Sequence, residues 1–344
     1  MNKYELLKSE IDEIDDLINE MTSEYLSVDD ADFLKNAIFH AHELPRRLRV
    51  FLNDFKYLER KYGYCLVSGY PIDEDKIGPT PAHWDSRSTK SPTLEEEMFL
   101  ILLGSLLGDP IAWMSQQNGY IAHDILPIKD NEYEQLGTGS RELLWWHNED
   151  AFHPYRGDYL GMMCLRNPDK VATTIASIDM VEIKPEHVGI LFEPRYTIRP
   201  DNSHLEKNRP RRQVESSGSE ELMGAAYNHI NEMNSRPQKI SVLFGDPKSP
   251  YLRIDPFFME RLEDDHEGQA ALDSLIRAID GRLLDLTLDQ GDIIFIDNYK
   301  TVHGRRPFMA KYDGTDRWLK RINITRNLRV SRSARVSCTS RIIC

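Results

Sequence analysis

The sequence is short of cysteine, of basic residues and of long apolar runs, and each shortage excludes a class of protein. Its 344 residues contain four cysteines, and these lack the paired spacing of a zinc site or a disulfide framework. The formal net charge of −13 argues against nucleic acid as a partner, because phosphate binding needs a basic surface. The longest apolar stretch, 98–107, is interrupted by Gly104 and Ser105 and is too short to span a membrane.

The start of the chain also lacks the pattern of an export signal, because residues 1–5 do not begin a basic region followed by an apolar one. We therefore expect no export signal and a cytoplasmic protein with reduced thiols. A chain of this length with 40% hydrophobic residues can bury a large core. The sequence leaves the oligomeric state open, with a homo-oligomer as one possibility.

The chemistry is carried by two short segments that are far apart in the chain. His147, Asn148 and Glu149 follow two tryptophans, and His303 follows the apolar run 293–296. In an extended strand, residues i and i+2 face the same side, so His147 and Glu149 can bind one ion while Asn148 points away. Two imidazoles and one carboxylate leave free positions on octahedral iron(II), whereas zinc usually takes four ligands and favours cysteine. The segments predict an iron site.

A histidine two residues before an acid is weak evidence by itself. A chain with 11 histidines and 56 acidic residues should contain about two such pairs by chance, and three occur. The pairs that begin at His83 and His204 lie in polar or charged stretches and are interpreted as solvated loops. The pair at His147 differs because the apolar stretch 159–165 follows it. The alternative interpretation is a hydrogen-bonded histidine at a strand end, His303, with Glu149 as a surface carboxylate.

Arg317 adds an anion-binding group fourteen residues after His303 (317 minus 303). It stands just before 320–326, where basic or polar residues alternate with apolar ones and predict a strand with one polar face. A planar guanidinium suits the far carboxylate of a dicarboxylate. Iron ligands and this arginine together indicate a non-haem iron oxygenase with 2-oxoglutarate and dioxygen as co-substrates. The alternative for Arg317 is a surface ion pair with Asp313 or Asp316.

Six blocks of the sequence also carry a resemblance to a known family. The blocks are 42–49, 116–119, 124–129, 146–152, 165–169 and 312–323. They resemble the clavaminate synthase-like family, and within it the hydroxylases of free arginine, asparagine and lysine. The similarity runs from about Ala41 to Arg332, which is nearly the whole chain.

The resemblance implies a fold that the strand pattern also favours. Short strands separated by turn residues are typical of a two-sheet jelly roll. We therefore expect an α+β protein with a mainly β core, a double-stranded β-helix of the cupin-like kind wrapped by helices. We expect residues 1–344 to form a single oxygenase domain, with a helical elaboration at 1–62 and the jelly roll within 140–330. The charged, Ser-rich stretch 201–221 is a candidate active-site lid, with a solvated loop as the alternative.

The resemblance further implies the residues of the site. The implied iron ligands are His147, Glu149 and His303. Arg317 is implied to bind the distal carboxylate of 2-oxoglutarate, with a hydroxyl from Thr173 or Thr174. For an amino-acid substrate, the implied partners are Arg321 for the α-carboxylate, Gln116 and Glu149 for the α-amine, and Asp255 for the far end of the side chain. Such charge-assisted contacts at both ends of a zwitterion would fix the carbon that faces the iron.

Phe257 is the position from which we predict the substrate. The corresponding block of arginine hydroxylases carries two acids spaced i and i+2, whereas here Asp255 is followed by Phe257. One carboxylate beside an aromatic ring suits a compact ammonium better than a planar guanidinium. We therefore expect L-lysine, hydroxylated at C4 ahead of C3, with L-arginine or ornithine as the alternative. In that alternative Phe257 only packs, and another acid completes an arginine site.

Two functions outside this family are also compatible with the sequence. A jelly-roll binding module with a degenerate metal site would make no succinate with any amino acid. A zinc-dependent hydrolase would differ in metal content and would not require oxygen. The intact ligand pattern and Arg317 argue against both.

Overall fold

Two β-sheets pack face to face in the computed structural model, which describes residues 2–86, 91–206 and 219–344. The strands are β1 (Lys3–Glu5), β2 (Tyr64–Ser68), β3 (Asp109–Trp113), β4 (His123–Ile125), β5 (Leu144–His147), β6 (Tyr159–Arg166), β7 (Ala172–Ser177), β8 (Leu243–Asp246), β9 (Ser249–Leu252), β10 (Leu284–Thr287), β11 (Ile293–Asp297), β12 (Thr301–Arg305), β13 (Trp318–Thr325) and β14 (Ile342–Ile343). The larger sheet has the order β1-β2-β11-β6-β13-β3-β14, with β4 paired to β13. The smaller sheet has the order β10-β7-β12-β5, and β8 pairs with β9 separately.

Helices cover the outer faces of both sheets. They are α1 (Lys8–Glu24), α2 (Ala31–Ala41), α3 (Arg46–Leu58), α4 (Glu74–Ile77), α5 (Leu94–Leu107), α6 (Pro185–Leu191), α7 (Ser219–Ser235) and α8 (His266–Asp280). The apolar residues of α1, α2, α3 and α5 share one core with the larger sheet. Those of α6 and α8 share a second core with the smaller sheet. This arrangement confirms the predicted α+β class with a mainly β core.

The central strand β11 shows why an apolar run forms the middle of the fold. Ile293 and Phe295 belong to the core beneath the helices, whereas Ile294 and Ile296 belong to the core between the two sheets. Side chains alternate along a strand, so a strand buried on both faces needs a continuous apolar run. Full burial of each such side chain contributes about 1.5 to 3 kcal/mol.

A tight turn at 289–292 precedes β11. The backbone N–H of Asp292 donates to the carbonyl of Asp289 at 3.0 Å, and the Asp292 carboxylate accepts from the N–H of Asp289 at 2.9 Å. Gly291 has a φ of +80°, and a Cβ there would meet the carbonyl oxygen of Tyr70 at 1.8 Å. The position therefore requires glycine, and the turn directs the chain into β11.

The structure differs from the sequence prediction at two strands. His303 was expected after a strand but lies inside one, β12, where the charged Lys300 and Arg305 had obscured the apolar pattern. Lys300 is buried because its Nζ pairs with Asp179 at 2.7 Å. Tyr4, which has helix-spaced apolar neighbours, lies in β1, and the helix begins only at Lys8. Parallel pairing of β1 with β2 overrides the local periodicity there.

The expected extents of the domain and of its parts stay predictions. Most of the predicted lid at 201–221 lies outside the described residues, because only 201–206 and 219–221 are described. Within the described ranges, no helix is both long and apolar enough to cross a membrane. The cytoplasmic location, the exclusion of nucleic acid and the oligomeric state also stay predictions.

Candidate active site

The two histidines of the predicted metal site are brought together by neighbouring strands of the smaller sheet. His147 ends β5, His303 lies in the middle of β12, and the two are direct partners in the antiparallel register. Their ring centroids are 4.8 Å apart. Gly304 permits this pairing, since a Cβ there would meet the Leu144 carbonyl oxygen at 2.5 Å and the Thr174 hydroxyl at 2.7 Å.

Glu149 divides its two carboxylate oxygens between different partners. Its Oε1 accepts a hydrogen bond from the guanidinium of Arg321. Its Oε2 lies 3.3 Å from Nε2 of His303 and 3.8 Å from Nε2 of His147. Burial alone would raise the pKa of Glu149, but Arg321 and the two imidazoles hold it well below its ordinary value. The carboxylate is therefore ionised, with one oxygen directed at the histidines.

The donor set fits a divalent iron ion. The Trp145 carbonyl can only accept, so at 2.8 Å it fixes the proton of His147 on Nδ1 and leaves the lone pair on Nε2. Both Nε2 atoms and a Glu149 oxygen lie within 4.8 Å of one another. Two imidazoles and a carboxylate, with no thiolate among them, are the ligands typical of non-haem iron(II).

Asn148 points away from these ligands, as predicted, and ties their strand to its surroundings. Its amide donates to the carbonyls of Asn298 and Thr301 at 2.9 and 3.0 Å, and its Oδ1 accepts from the N–H of Ile254 at 2.9 Å. The Asn298 side chain in turn accepts from the N–H of Glu149 at 2.7 Å. These buried hydrogen bonds fix the Glu149 backbone against β12 and against the backbone of Ile254.

The predicted 2-oxoglutarate residues line the same cavity, which has a volume of about 380 Å³. Arg317 is buried, and burial lowers its pKa to about 10. No carboxylate of the described residues lies within ion-pair distance of it, so the surface pairs considered for Arg317 do not form. Thr173 lines the cavity, whereas Thr174 faces Gly304. Thr173 is therefore the better placed of the two hydroxyls.

Arg305 is a second buried guanidinium at this end of the cavity, and sequence reasoning gave it no role. It donates to the carbonyls of Ser140 and Arg306 at 3.1 and 3.0 Å. Burial, with the nearby charge of Arg317, lowers its pKa to about 9. The sequence could have indicated that Arg305 faces the cavity, because Arg305 stands two residues after His303 and so shares its face of the strand.

The residues predicted for the α-groups of an amino acid lie together beside Glu149. Arg321 extends from β13 and contacts Glu149, Gln116 and His123, the latter two at 2.9 Å. Gln116 also donates through its Nε2 to the Ser203 hydroxyl at 2.5 Å. Gln116, Glu149 and Arg321 all line the cavity.

Two carboxylates, those of Asp255 and Asp201, also line the cavity and lie close enough to interact electrostatically. Asp255 lines the cavity, and its Oδ1 accepts from the backbone N–H groups of Phe257 and Phe258 at 3.2 and 3.3 Å. Burial raises the pKa of Asp255 to about 6; His147 opposes this, and the charge of Asp201 adds to it. Asp201 lines the cavity too, and sequence reasoning had placed it only within the lid. The Phe257 side chain is 50% exposed at the cavity wall.

His204 overturns the interpretation of its segment as a solvated loop. Its side chain is fully buried, with Nε2 2.9 Å from Oδ1 of Asp150 and Nδ1 2.8 Å from the Ser115 hydroxyl. The segment around His83 is also less open than expected, since Trp84 is buried and both residues line the cavity. Charged neighbours in the sequence concealed these buried positions.

Asp150, Asp201 and His204 form a second group whose ligand atoms lie within 4.8 Å of one another. This group is already hydrogen-bonded internally. The Asp150 carboxylate accepts from Trp113 Nε1 at 2.5 Å in addition to its contact with His204. The N–H and the hydroxyl of Ser203 both donate hydrogen bonds to Asp201 Oδ1. The arrangement is that of a buried hydrogen-bond network rather than of a metal site.

The fold and the ligand set place the protein among the non-haem iron oxygenases, and comparison with known proteins defines the family. Residues 223–323 match the taurine catabolism dioxygenase TauD, TfdA family. The chain is 44% identical to enduracididine beta-hydroxylase of Streptomyces hygroscopicus over 92% of both chains. It is 41% identical to L-ornithine/L-arginine 3-hydroxylase of Catenulispora acidiphila over 91% of both chains.

The crystal structure of the non-haem iron oxygenase OrfP with iron, succinate and (3R,4R)-dihydroxy-L-Arg superposes with a TM-score of 0.93, at 41% identity and over 100% of both chains. OrfP has also been solved with iron and alpha-ketoglutaric acid. The chain belongs to this family of amino-acid hydroxylases, and it is an iron- and 2-oxoglutarate-dependent dioxygenase with a jelly-roll core. The predicted family, fold, enzyme class and cofactors are confirmed.

Proposed function

We propose that the enzyme hydroxylates free L-arginine, or a closely related guanidino amino acid, at C3. The observation that carries the proposal is that two carboxylates, Asp201 and Asp255, line the cavity and lie close enough for their charges to interact. A guanidinium offers five N–H donors in a plane and suits two acceptors, whereas an ammonium is satisfied by one ion pair. Asp201 would supply the second acid that the sequence block around Asp255 lacks.

The similar proteins also favour a guanidino amino acid over lysine as the substrate. The two relatives named above at 41–44% identity act, by name, on enduracididine and on ornithine or arginine. L-lysine 4-hydroxylase of Chitinophaga pinensis is 29% identical, over 84% of this chain. OrfP has been solved with L-Arg and with L-homoarginine. Lysine, the first expectation from Phe257, is therefore less well supported, and the predicted preference for C4 is replaced by C3 because these relatives are named beta- and 3-hydroxylases.

The proposed roles follow the geometry of the cavity. His147, Glu149 and His303 would hold iron(II). Arg317 and Thr173 would bind the distal carboxylate of 2-oxoglutarate, in a pocket whose positive charge Arg305 increases. At the amino-acid end, the proposed partners are Arg321 for the α-carboxylate, Gln116 and Glu149 for the α-amine, and Asp201 and Asp255 for the guanidinium.

The protein's own contribution is binding, orientation and exclusion of water. Iron(II), when bound with 2-oxoglutarate, supplies the activation of dioxygen that introduces oxygen into an unactivated C–H bond. Arg321 would hold the α-carboxylate of the substrate and the two aspartates its guanidinium, and these contacts would orient the carbon chain between them. No protein acid or base needs to touch the reacting carbon.

The test is a substrate screen that separates charge from shape. L-arginine, L-homoarginine, L-ornithine, L-lysine and the neutral isostere L-citrulline are incubated with iron(II), 2-oxoglutarate and oxygen. Succinate release, a gain of one oxygen by mass spectrometry, and the position of the hydroxyl by NMR are measured. We expect arginine to give the highest kcat/KM, with hydroxylation at C3. A preference for lysine, or citrulline turned over as well as arginine, would overturn the proposal.

A further inference from the structure

The imidazole of His204 is one of the most completely enclosed polar groups of the described chain, and the site described above does not use it. Its two nitrogens contact Asp150 and Ser115, and the rings of Trp113 and Phe152 pack around it at centroid distances of 5.9 and 5.0 Å. Burying a polar ring in this way is costly unless both nitrogens are satisfied, as they are here. The histidine is therefore a fixed point of the structure.

Asp150 connects this fixed point to the metal site. It directly follows Glu149, and its backbone φ of +51° lies in the left-handed region that residues other than glycine rarely adopt. Trp113, Asn323 and His204 all donate to or contact its carboxylate, at 2.5, 3.4 and 2.9 Å. These contacts hold the unusual backbone conformation in place.

On its other side, His204 ends the short 3-10 helix Asn202–His204, in which Ser203 lines the cavity. Asp201 caps this helix, its Oδ1 accepting from the N–H of Ser203 at 2.8 Å. Asp201 and Ser203 line the cavity, and Ser203 accepts from Gln116. A helix of one turn has little stability of its own, so its place over the cavity depends on its anchor.

We propose that His204 is a positioning residue that fastens the segment 201–206 to the strand of the metal ligands, and thereby presents Asp201 and Ser203 to the amino acid. The proposal rests on the proposed function in one respect, namely that Asp201 binds the substrate's guanidinium. The anchor joins the amino-acid end of the cavity to Asp150, next to Glu149. The 2-oxoglutarate end, around Arg317, is not part of this connection.

The geometry gives the proposal a specific signature. Loosening the segment should weaken binding of the amino acid without weakening binding of 2-oxoglutarate. It should also admit water and let the co-substrate be consumed without product, because segments that close an active site protect its reactive centre. A histidine that merely stabilised the fold would change the amount of active enzyme and leave these ratios as they are.

The experiment compares His204→Ala and His204→Gln with the control His42→Gln, which removes an exposed imidazole beyond α2. Folding is checked by Tm and by iron content. We expect His204→Ala to raise the KM for arginine by about tenfold or more, to leave the KM for 2-oxoglutarate within about twofold, and to raise the ratio of succinate to hydroxyarginine. His204→Gln keeps a donor for Asp150 and should lie between wild type and His204→Ala. Should His204→Ala not fold, a severalfold rise in the arginine KM of His204→Gln carries the test, and an unchanged KM overturns the proposal.

A double-variant cycle separates positioning from general stability. If His204 acts by presenting Asp201, then Asp201→Asn should raise the KM for arginine little further when His204→Ala is already present. If the two single-variant increases in KM multiply in the double variant, the proposal is overturned. Equal changes in both KM values, or an unaltered succinate ratio, would also overturn it. If another amino acid proves to be the substrate, the proposed function fails. The KM split and the succinate ratio measured with that amino acid then still decide the role of His204.

Discussion

Glu149 is the residue at which the metal site and the substrate site meet, because each of its carboxylate oxygens faces one of them. His303, by contrast, faces Glu149 through its Nε2, and among the described residues its Nδ1 has no hydrogen-bond partner. Changing His303 should therefore disturb the metal and little else, whereas changing Glu149 should affect both substrates of the site.

We predict that His303→Ala abolishes turnover while the fold survives. Removing one of three ligands leaves iron without the geometry that the strands provide, so iron bound after dialysis should fall well below one equivalent. Iron content, succinate release and Tm are measured together. His266→Ala, which changes an exposed histidine at the start of α8, is the matched control and should keep full activity. Full turnover by His303→Ala would refute the ligand assignment.

Arg317 leads to a prediction about the co-substrate. Because it is buried and pairs with no carboxylate of the described part of the chain, the arriving anion is its proposed counter-charge. Arg317→Ala should raise the KM for 2-oxoglutarate far more than the KM for the amino acid, since losing a buried charge-assisted partner costs about 2 to 5 kcal/mol. Steady-state kinetics with each substrate varied in turn measure this.

Arg306→Ala is the control for Arg317→Ala, because Arg306 is exposed and forms a surface ion pair with Asp285. It should change neither KM by more than about twofold, as expected for an exposed ion pair. A comparable rise in both KM values for Arg317→Ala would argue against its assignment to 2-oxoglutarate.

Phe257 shows how a correct local observation led to the less well supported substrate. The sequence correctly reveals one acid and one aromatic residue where arginine hydroxylases carry two acids. It does not reveal that Phe257 is half exposed, or that Asp201, 54 positions away (255 minus 201), lies near Asp255. Phe257→Ala should therefore leave the arginine-to-lysine preference within about threefold, whereas Asp201→Asn should lower it by about tenfold or more. Competition assays with both amino acids measure the preference, and a reversal by Phe257→Ala would restore the lysine argument.

At the level of elements, the strands that face two cores were predictable and the strand that carries His303 was not. β11 has a continuous apolar run because it is buried on both faces, and its turn is marked by Gly291. In β12, Val302 packs into the core that α6 and α8 share with the smaller sheet, while His303 and Arg305 face the cavity. Polar residues at inward positions are needed by the site, so they erase the periodicity from which a strand is predicted.

Gly304 provides the prediction for this pair of strands. A Cβ at 304 would collide with the Leu144 carbonyl of β5 and with Thr174 of β7, both within 2.7 Å. Gly304→Ala should separate β12 from its neighbours, lowering Tm and weakening iron binding together. Gly189→Ala, in α6 with open space around the new methyl, is the control and should not lower Tm. A lowered Tm with unchanged iron affinity would show that the spacing of the two strands does not set the metal geometry.

Across the whole molecule, the two sheets contribute different residues to the site. The smaller sheet carries the candidate metal ligands, and the larger sheet carries Arg321 and, just before β13, Arg317. The sequence indicated both groups, because strand-end motifs and an alternating strand are local features. Which of these residues meet at the cavity depends on contacts between distant segments, and so do the burial of His204 and the position of Asp201 at the cavity wall. Such positions depend on packing between segments distant in the chain, which local periodicity does not report.

Glu96 gives a prediction about the stability of the whole fold. It lies in the first turn of α5, is 3% exposed, and its Oε2 has no hydrogen-bond partner within the ranges that the structure describes. Burial, with a contribution from Glu95, raises the pKa of Glu96 to about 7. Because its pKa is higher in the folded protein than in the unfolded one, the ionised form destabilises the fold, and this penalty grows as pH rises from about 4.5 to 7.

Glu96→Gln keeps the shape and removes the charge, so it should stabilise the protein at pH 8 by on the order of 2 kcal/mol and have little effect at pH 4.5. Free energies of unfolding from urea titrations at several pH values measure this difference. Glu24→Gln, at the exposed end of α1, is the control and should change stability by less than about 0.5 kcal/mol at every pH. Should the advantage of Glu96→Gln stay constant with pH, the pKa of Glu96 would be the same in the folded and the unfolded protein, which would refute the raised pKa.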